Sequence, residues 1–449
     1  MRVSRTARRS AVTAAAVLAA GALLAACSGR GGSGDTGNVA NASAASYPAA
    51  VKQSDCSDYQ ASPGITPTEI KLGSSYPDSG PLANIGNAAR GMAAYFDYLN
   101  SQGGIDGRDI DFIGMDDQYD PTKTVSNVNQ LLEQDQVFAM VGIQSEEGTT
   151  SVWDQLAKEC VPILMSTVSG TTMAQRLAHL NTTDGLVPWS AEGYALGQYS
   201  VDTWHSTDVG LIALAGGLQD AFTTGLTKAL AGTGAKLGDV ESYQVTDATV
   251  TSQITSLKAA GVDTVVVAGS GAQCPQILDT IHDAGWKPHV IESFTCSSDT
   301  LMDVAEPAAT TGVVSDTWLK LRTKGDPESD AYFAAVAKYE PKTPAMSEDT
   351  AVGWAQGELI AEILKTSTAL TRVDVINRAL SLKNVTVPMA APGITYNTSP
   401  TDPVPYQAVQ MTQWDSATKS WQYVDGSTVL PPGKSKIIDL SGILDEVDG

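Results

Sequence analysis

Two hydroxyl-rich stretches stand directly after short apolar runs, where a folded chain can present them to a small molecule. Val137–Gly142 leads into Ser145-Glu146-Glu147-Gly148-Thr149-Thr150, and Val161–Met165 leads into Ser166-Thr167-Val168-Ser169-Gly170-Thr171. A loop that opens a helix turns main-chain N–H groups outward, so such a loop suits a polar or anionic group. The chemistry this offers is binding, not bond-breaking. The same hydroxyls also have a local use as helix caps and turn closers. Glu146 and Glu147 are two-sided as well. In a first helical turn they complement the helix dipole by a few tenths of a kcal/mol. Alternatively, one of them faces the solute and disfavours a carboxylate.

Catalytic signatures are missing. The chain has no HExxH, no G-x-S-x-G elbow and no GxxxxGK[ST] loop. His282 and Asp283 are adjacent on a helical stretch, so their side chains diverge and form no dyad. Gly32-Ser33-Gly34-Asp35-Thr36-Gly37 matches a dinucleotide fingerprint by letter, but no strand precedes it and no helix follows. The expectation is a protein that is not an enzyme and uses no cofactor and no metal. With 28 Lys and Arg against 50 Asp and Glu, the net charge of −22 also argues against a nucleic-acid partner.

The elements that must position these loops follow from periodicity. Ile70–Gly73 reads as a strand. Ile85, Ala88, Ala89, Met92, Phe96 and Leu99 then recur at three- and four-residue steps, one helix face. Strands follow at 109–115, 137–142 and 161–165, with helices opening at Pro121 and after Ser145. The pattern restarts after a break near Leu186-Val187-Pro188-Trp189. Helices over 191–204, 221–230, 250–260 and 275–284 alternate with strands over 209–215, 240–245, 262–268 and 289–292. Val262–Ala268 is nearly continuous apolar sequence, as in a parallel strand covered on both faces. This double βα alternation predicts an α/β protein with two doubly wound parallel-sheet lobes. Helices over 330–339, 349–365 and 373–382, then a hairpin from Tyr406 to Val424, read as segments returning to each lobe.

The first residues read as an address. Arg2, Arg5, Arg8 and Arg9 precede a small, apolar stretch over 11–26, the layout of a secretory signal. Leu24-Ala25-Ala26-Cys27 resembles a bacterial lipobox, in which Cys27 becomes the acylated first residue and anchors the protein to the outer face of the plasma membrane. An ordinary signal cleavage site is the alternative. Arg8-Arg9 leaves Sec and twin-arginine export both open. Removing residues 1–26 takes four arginines and no acid. Residues 28–55 are rich in Gly, Ser, Ala and Asn and read as a flexible linker, spanning about 30 Å on average. With Cys27 lipidated, Cys56, Cys160, Cys274 and Cys296 remain. In an oxidising compartment they favour two disulfides, with three pairings possible. Pairing within each half of the chain, Cys56–Cys160 and Cys274–Cys296, is the expectation; a cross-lobe link would restrain closure.

Several motifs then add up to a family. Ile70-Lys71-Leu72-Gly73, Ser79-Gly80-Pro81-Leu82-Ala83 and Gly86 resemble the opening of the extracellular solute-binding proteins of the branched-chain amino acid (Leu/Ile/Val-binding) type, the type I periplasmic binding proteins of ABC transporters. Asn100-Ser101-Gln102-Gly103-Gly104-Ile105-Asp106-Gly107, Asp116-Asp117, Asp120-Pro121, Pro162–Ser166 and Ala284-Gly285-Trp286-Lys287-Pro288 continue the resemblance in order. It implies a two-lobed clamp joined by a three-strand hinge, which closes on a small solute and hands it to an ABC permease driven by its ATPase. The expected division is a signal over 1–26, a tether over 27–55, lobe 1 from 66–187 plus 318–395, and lobe 2 from 188–317 plus 396–449. A monomer is expected.

For the site, the resemblance points to the loops already noted. Ser145, Gly148 and Thr149 are candidates after the third strand, and Ser169 and Thr171 after the fourth. Tyr76, at the end of the first strand, is placed to cover the solute. In the second lobe Trp189, Tyr194, Phe222, Ser270 and Phe294 lie at strand ends or hinge-side loops, where aromatic rings can stack on a solute or fill the core; Trp318 belongs with them. Amino-acid binders of this family use an acid in the second lobe for the ligand's ammonium. Here the matching neighbourhood is Glu292-Ser293-Phe294, with Phe near the acid's place, which departs from the family pattern. The leading expectation is a lipid-anchored receptor that delivers a small polar or amino-acid-like solute to an ABC importer. A ligand-sensing lipoprotein of the same fold is the alternative, and a secreted hydrolase a third class.

Overall fold

Ile70 and Leu72 are fully buried, and they fix β1 (Glu69–Tyr76) in the middle of a first sheet. The computed structural model describes residues 47–425, 428–431 and 434–448. After β1 come α1 (Asn87–Ser101), β2 (Asp109–Asp116), α2 (Pro121–Glu133), β3 (Ala139–Val141), α3 (Glu146–Lys158), β4 (Ile163–Ser166), α4 (Met173–Ala178) and β5 (Thr182–Asp184). The strands are parallel, in the order β2-β1-β3-β4-β5. Successive side chains of a strand point to opposite faces. Ala139, Val141 and Leu164 join Met92 and Phe96 of α1 on one face. Met140 and Ile163 join Val128 and Leu131 of α2 and Val152 and Leu156 of α3 on the other.

The second half repeats this winding. It runs α5 (Trp189–Trp204), β6 (Asp208–Leu214), α6 (Gly217–Leu230), β7 (Lys236–Tyr243), α7 (Thr251–Ala260), β8 (Thr264–Ala268), α8 (Gln273–Asp283), β9 (His289–Glu292), α9 (Asp299–Met302) and β10 (Val314–Thr317). The parallel order β7-β6-β8-β9-β10 is the first sheet's order over again. β8 is buried along its whole length, as its apolar run predicts. Leu211, Ala213 and Val266 pack with Leu196, Phe222 and Leu226 of α5 and α6, whereas Ile212, Val265 and Val267 pack with Ile254, Leu257 and Ile277 of α7 and α8.

The chain then goes back. α10 (Pro327–Tyr339), α11 (Glu348–Thr366) and α12 (Arg372–Ala379) return to the first half, with Trp354, Leu359 and Ile360 in the core that holds Ile70 and Met92. β11 (Ala408–Asp415), β12 (Ser420–Asp425) and β13 (Thr428–Val429) extend the second sheet antiparallel beyond β10. β14 (Ile437–Asp439) pairs with β11, and α13 (Ile443–Asp448) follows. Among the described residues the chain crosses between the two halves three times, over 185–188, 318–326 and 380–407. The second and third crossings run side by side: the Lys320 N–H donates to Met389 O at 2.9 Å and the Ala391 N–H to Trp318 O at 2.9 Å. The fold is α/β, two doubly wound lobes on a three-strand hinge.

Each half contains a helix pair in close approach. A Cβ on Gly353 of α11 would lie 1.7 Å from the Ala88 carbonyl of α1, and one on Gly225 of α6 would lie 2.0 Å from the Ser190 carbonyl of α5. Cys56–Cys160 and Cys274–Cys296 are both disulfides. The first ties the start of the core to the turn before β4, and the second ties α8 to the segment after β9. Neither crosses the hinge.

The linker read over 28–55 ends sooner than expected. The Val51 N–H donates to Asn377 Oδ1 of α12 at 2.9 Å, and Asn377 Nδ2 donates back to Val51 O at 2.8 Å. Ala50 and Val51 pack against Ile376 and Leu380. Residues 47–55 are thus a strap on the first half, held by two apolar side chains too few to show as a periodic face. The signal, Cys27 and its lipobox, and the rest of the linker lie outside the described residues.

Candidate functional site

In a sheet wound 2-1-3-4-5, connections leave to opposite faces on either side of one point, and a crevice opens there at the carboxyl ends of the strands. That point falls between β1 and β3 in the first sheet and between β6 and β8 in the second. Three loops from these ends converge on one side chain. Glu146, the first residue of α3, accepts a hydrogen bond from the Gly170 N–H of the loop after β4 at 2.6 Å. A Cβ on Gly170 would lie 2.7 Å from Glu146 Oε2, so a side chain there would have to displace this carboxylate. Across the gap, a Cβ on Gly217, at the start of α6 in the second half, would lie 3.3 Å from Glu146 Oε1. The Glu146 carboxylate is therefore seated between glycines of the two lobes. Burial pushes its pKa up to about 7; Asp184 and Glu147 add repulsion, while the Gly170 N–H and Arg176 oppose the rise. Glu147 is exposed. Of the two readings of this acid pair, Glu146 takes the inward one and Glu147 the solvated one.

The candidate hydroxyls around Glu146 are occupied by their own loops. Ser145 Oγ accepts from the Gly148 N–H at 2.7 Å and caps α3. Thr149 Oγ1 donates to Ser145 O at 2.8 Å. Gly148 packs close to Thr124 of α2, where a Cβ would meet Thr124 Oγ1 at 2.7 Å. Thr124 belongs to a buried polar network: its Oγ1 and Ser75 Oγ both donate to Asp117 Oδ2, at 3.0 and 2.8 Å. In the next loop Ser169 Oγ donates to Asp184 Oδ1 at 2.9 Å, and Thr171 Oγ1 donates to Val168 O at 2.6 Å. Arg176 pins this loop with bonds to Val168 O and Thr171 O and a 2.7 Å ion pair to Asp184, both side chains buried. Periodicity did not mark Arg176 and Asp184, which lie on a short helix and a three-residue strand.

Tyr76 stands apart. Its ring lies over Gly114 of the edge strand β2, near Asp78, Arg90 and Asp116 rather than near Glu146. Ser270, in the loop after β8, is buried, and its N–H donates to the Tyr243 hydroxyl at 3.3 Å. Tyr194 is half-buried on α5, and Phe222 is fully buried in the α5–α6 core. Phe294 packs tilted against Trp318 at 4.0 Å between ring centroids, and Trp318 meets Tyr406 edge-on at 5.6 Å, so these rings form the hinge core. Trp189 is closer to the convergence. Its N–H donates to Ser169 O at 2.9 Å, beside Gly170, and its buried indole N–H has no partner among the described residues. The structure thus brings Ser145, Gly148, Thr149, Ser169, Thr171 and Trp189 to one place. It puts Phe222 and Phe294 in core packing.

Beneath the second lobe's loops lie further acids. The Phe294 N–H donates to Glu192 Oε1 at 2.8 Å. Burial raises Glu192 and its neighbour Asp316 above the ordinary carboxylate range, with Asp316 adding to the rise of Glu192. Glu292 is fully buried, neither oxygen has a hydrogen-bond partner among the described residues, and burial alone lifts it well above that range.

Two like-wound lobes, a three-stranded hinge and paired loops facing across a gap define a clamp-type binding protein. The chain belongs to the periplasmic binding protein family, whose model matches residues 69–419. That family is one of binding proteins, not enzymes. A Leu/Ile/Val-binding protein homologue of Brucella melitensis is 27% identical over 229 residues, which cover 50% of this chain and 60% of that protein. The match thus spans less than two thirds of the relative's length. A branched-chain amino acid ABC transporter protein from Thermus thermophilus, solved with bound valine, superposes with a TM-score of 0.73 at 14% identity, covering 85% of this chain and 99% of that one. A fatty acid ABC transporter substrate-binding protein from Thermomonospora curvata gives 0.69 at 19%, covering 86% and 96%. At these identities the likeness to both structures is one of fold. Among the described residues no helix is long and apolar enough to cross a membrane.

Proposed function

We propose that this protein is a lipid-anchored extracellular receptor that captures a small polar or amino-acid-like solute between its lobes and delivers it to an ABC importer. One observation carries the reading: loops at the switch points of two separately wound sheets meet at a single half-buried polar position, Glu146 between Gly170 and Gly217. A site divided between lobes joined only by hinge strands couples binding to closure. Residues 66–187 with 318–395 act as one lobe, and 188–317 with 396–449 as the other. Ser145, Gly148, Thr149, Ser169, Thr171, Trp189 and Ser270 shape the walls, and Cys27 holds the clamp beside its permease, raising its local concentration. The decisive experiment deletes the gene and measures uptake of the solute that native mass spectrometry finds co-purified with the protein. Lost uptake is expected. Unchanged uptake sinks the importer reading in favour of a sensor of the same fold.

A further inference from the structure

The Glu146 carboxylate occupies a place that a ligand's own anionic group would need. The Gly170 N–H, a donor that could hold such a group, is already bonded to Glu146 Oε2. On the far side, Gly217 at the start of α6 presents no side chain to Oε1; a Cβ there would lie 3.3 Å from it. The charged and polar groups bearing on this carboxylate do not reverse its character. Asp184 and Glu147 repel added negative charge. Arg176, a cation that acts on it, is bonded to Asp184 and to two carbonyls. Tyr119, after β2, has its hydroxyl proton retained more strongly by burial and by Glu147 and Glu146. A carboxylate has about four acceptor sites, and Gly170 fills one, so donors on a solute find vacant lone pairs here while acceptors do not.

We propose that Glu146 makes this cleft selective for solutes whose recognised end carries no carboxylate, a neutral amide or a cationic amine being taken in its place. The inference rests on the solute-receptor reading and narrows it from polar or amino-acid-like solutes to donor-bearing, carboxylate-free ones. A second carboxylate set beside Glu146 would raise the pKa of one or both acids, because like charges at such distances disfavour joint ionisation. Binding would then require a proton as well.

The test uses the full chain with the free amino acids and their amides as matched probes, read by thermal shift and calorimetry at pH 8. Wild type is expected to bind at least one amide at least tenfold more tightly than its parent amino acid. Glu146→Gly, which vacates the Gly170 N–H, is expected to bring that ratio to one or reverse it. Glu146→Gln preserves shape, removes the charge and turns one acceptor oxygen into an NH2 donor; it is expected to lie between the two. An amino acid bound by wild type as tightly as its amide overturns the proposal. So does a ratio unchanged in Glu146→Gly, or a failure of both series to bind either protein. None of these outcomes touches the receptor reading, which stands or falls on uptake of the co-purified solute.

Discussion

Asp184 ends the last strand of the first parallel set, and Glu292 ends β9 in the second. Both are buried carboxylates at strand ends. Asp184 meets Arg176 at 2.7 Å and Ser169 at 2.9 Å, whereas Glu292 meets no hydrogen-bond donor among the described residues. Glu192 and Asp316, also in the second half, crowd each other instead of finding a cation. These two strand ends, in sheets of one winding, therefore handle buried charge in opposite ways. In the first, the pair locks a loop that faces the cleft. In the second, burial pushes the acids beneath the loops above the ordinary carboxylate range. Topology fixes where a site can lie, and the electrostatics of each lobe is chosen separately.

The largest effect should come from breaking the locked side. Asp184→Asn strands Arg176 in the core and should cost about 3–5 kcal/mol in chemical denaturation. A loss near zero would make the two lobes alike after all. The helix pairs should respond alike in both halves: Gly353→Ala and Gly225→Ala each force a backbone carbonyl aside, at about 3 kcal/mol apiece. On the unpaired side the sign should change, and Glu292→Met is expected to stabilise the ligand-free protein by about 1–3 kcal/mol.

The pH dependence draws on burial-raised carboxyls in both halves. A carboxyl whose folded-state pKa is raised holds a proton that the unfolded chain has already lost, so stability falls as pH climbs between the two values. For Glu146 that window runs from about 4.5 to about 7, and for Asp316 from 3.8 to about 7. The melting temperature should decline from pH 5 to 7.5, and Glu146→Gln should remove part of the slope. A flat profile in wild type would show these acids to be charged at no cost. Smallest of all, Glu147→Gln should change stability by a few tenths of a kcal/mol, the scale of an exposed first-turn acid.

Much of this was readable in the chain. The apolar run 262–268 and the stepped face of 88–99 name a buried strand and an amphipathic helix without help from neighbours. The cysteines paired within halves, the one of three possible pairings expected from the lobe pattern. Short polar elements were not readable: β5 is Thr-Thr-Asp, a strand by virtue of its pairing with β4. α4 has six residues and α9 four, too few to show a period. The cleft loops were found, but their hydroxyls turned inward to caps and turns, a choice made by local geometry that residue types leave open. Glu146 could be weighed from sequence only as one of two uses, because its glycine neighbours lie 24 and 71 positions away.

The strap at the start of the core has a mechanical consequence. Tyr47 accepts from the Thr368 N–H at 3.1 Å, Val51 and Asn377 exchange two bonds, and Cys56 is covalently joined to Cys160. A pull on the chain ahead of Tyr47 would first peel these weak contacts and then load a covalent bond that ends in the first lobe. The hinge lies off that load path. Tugging on the leash should leave the jaws free to open and shut, which force spectroscopy from that end can measure as a lobe-closure rate independent of tension.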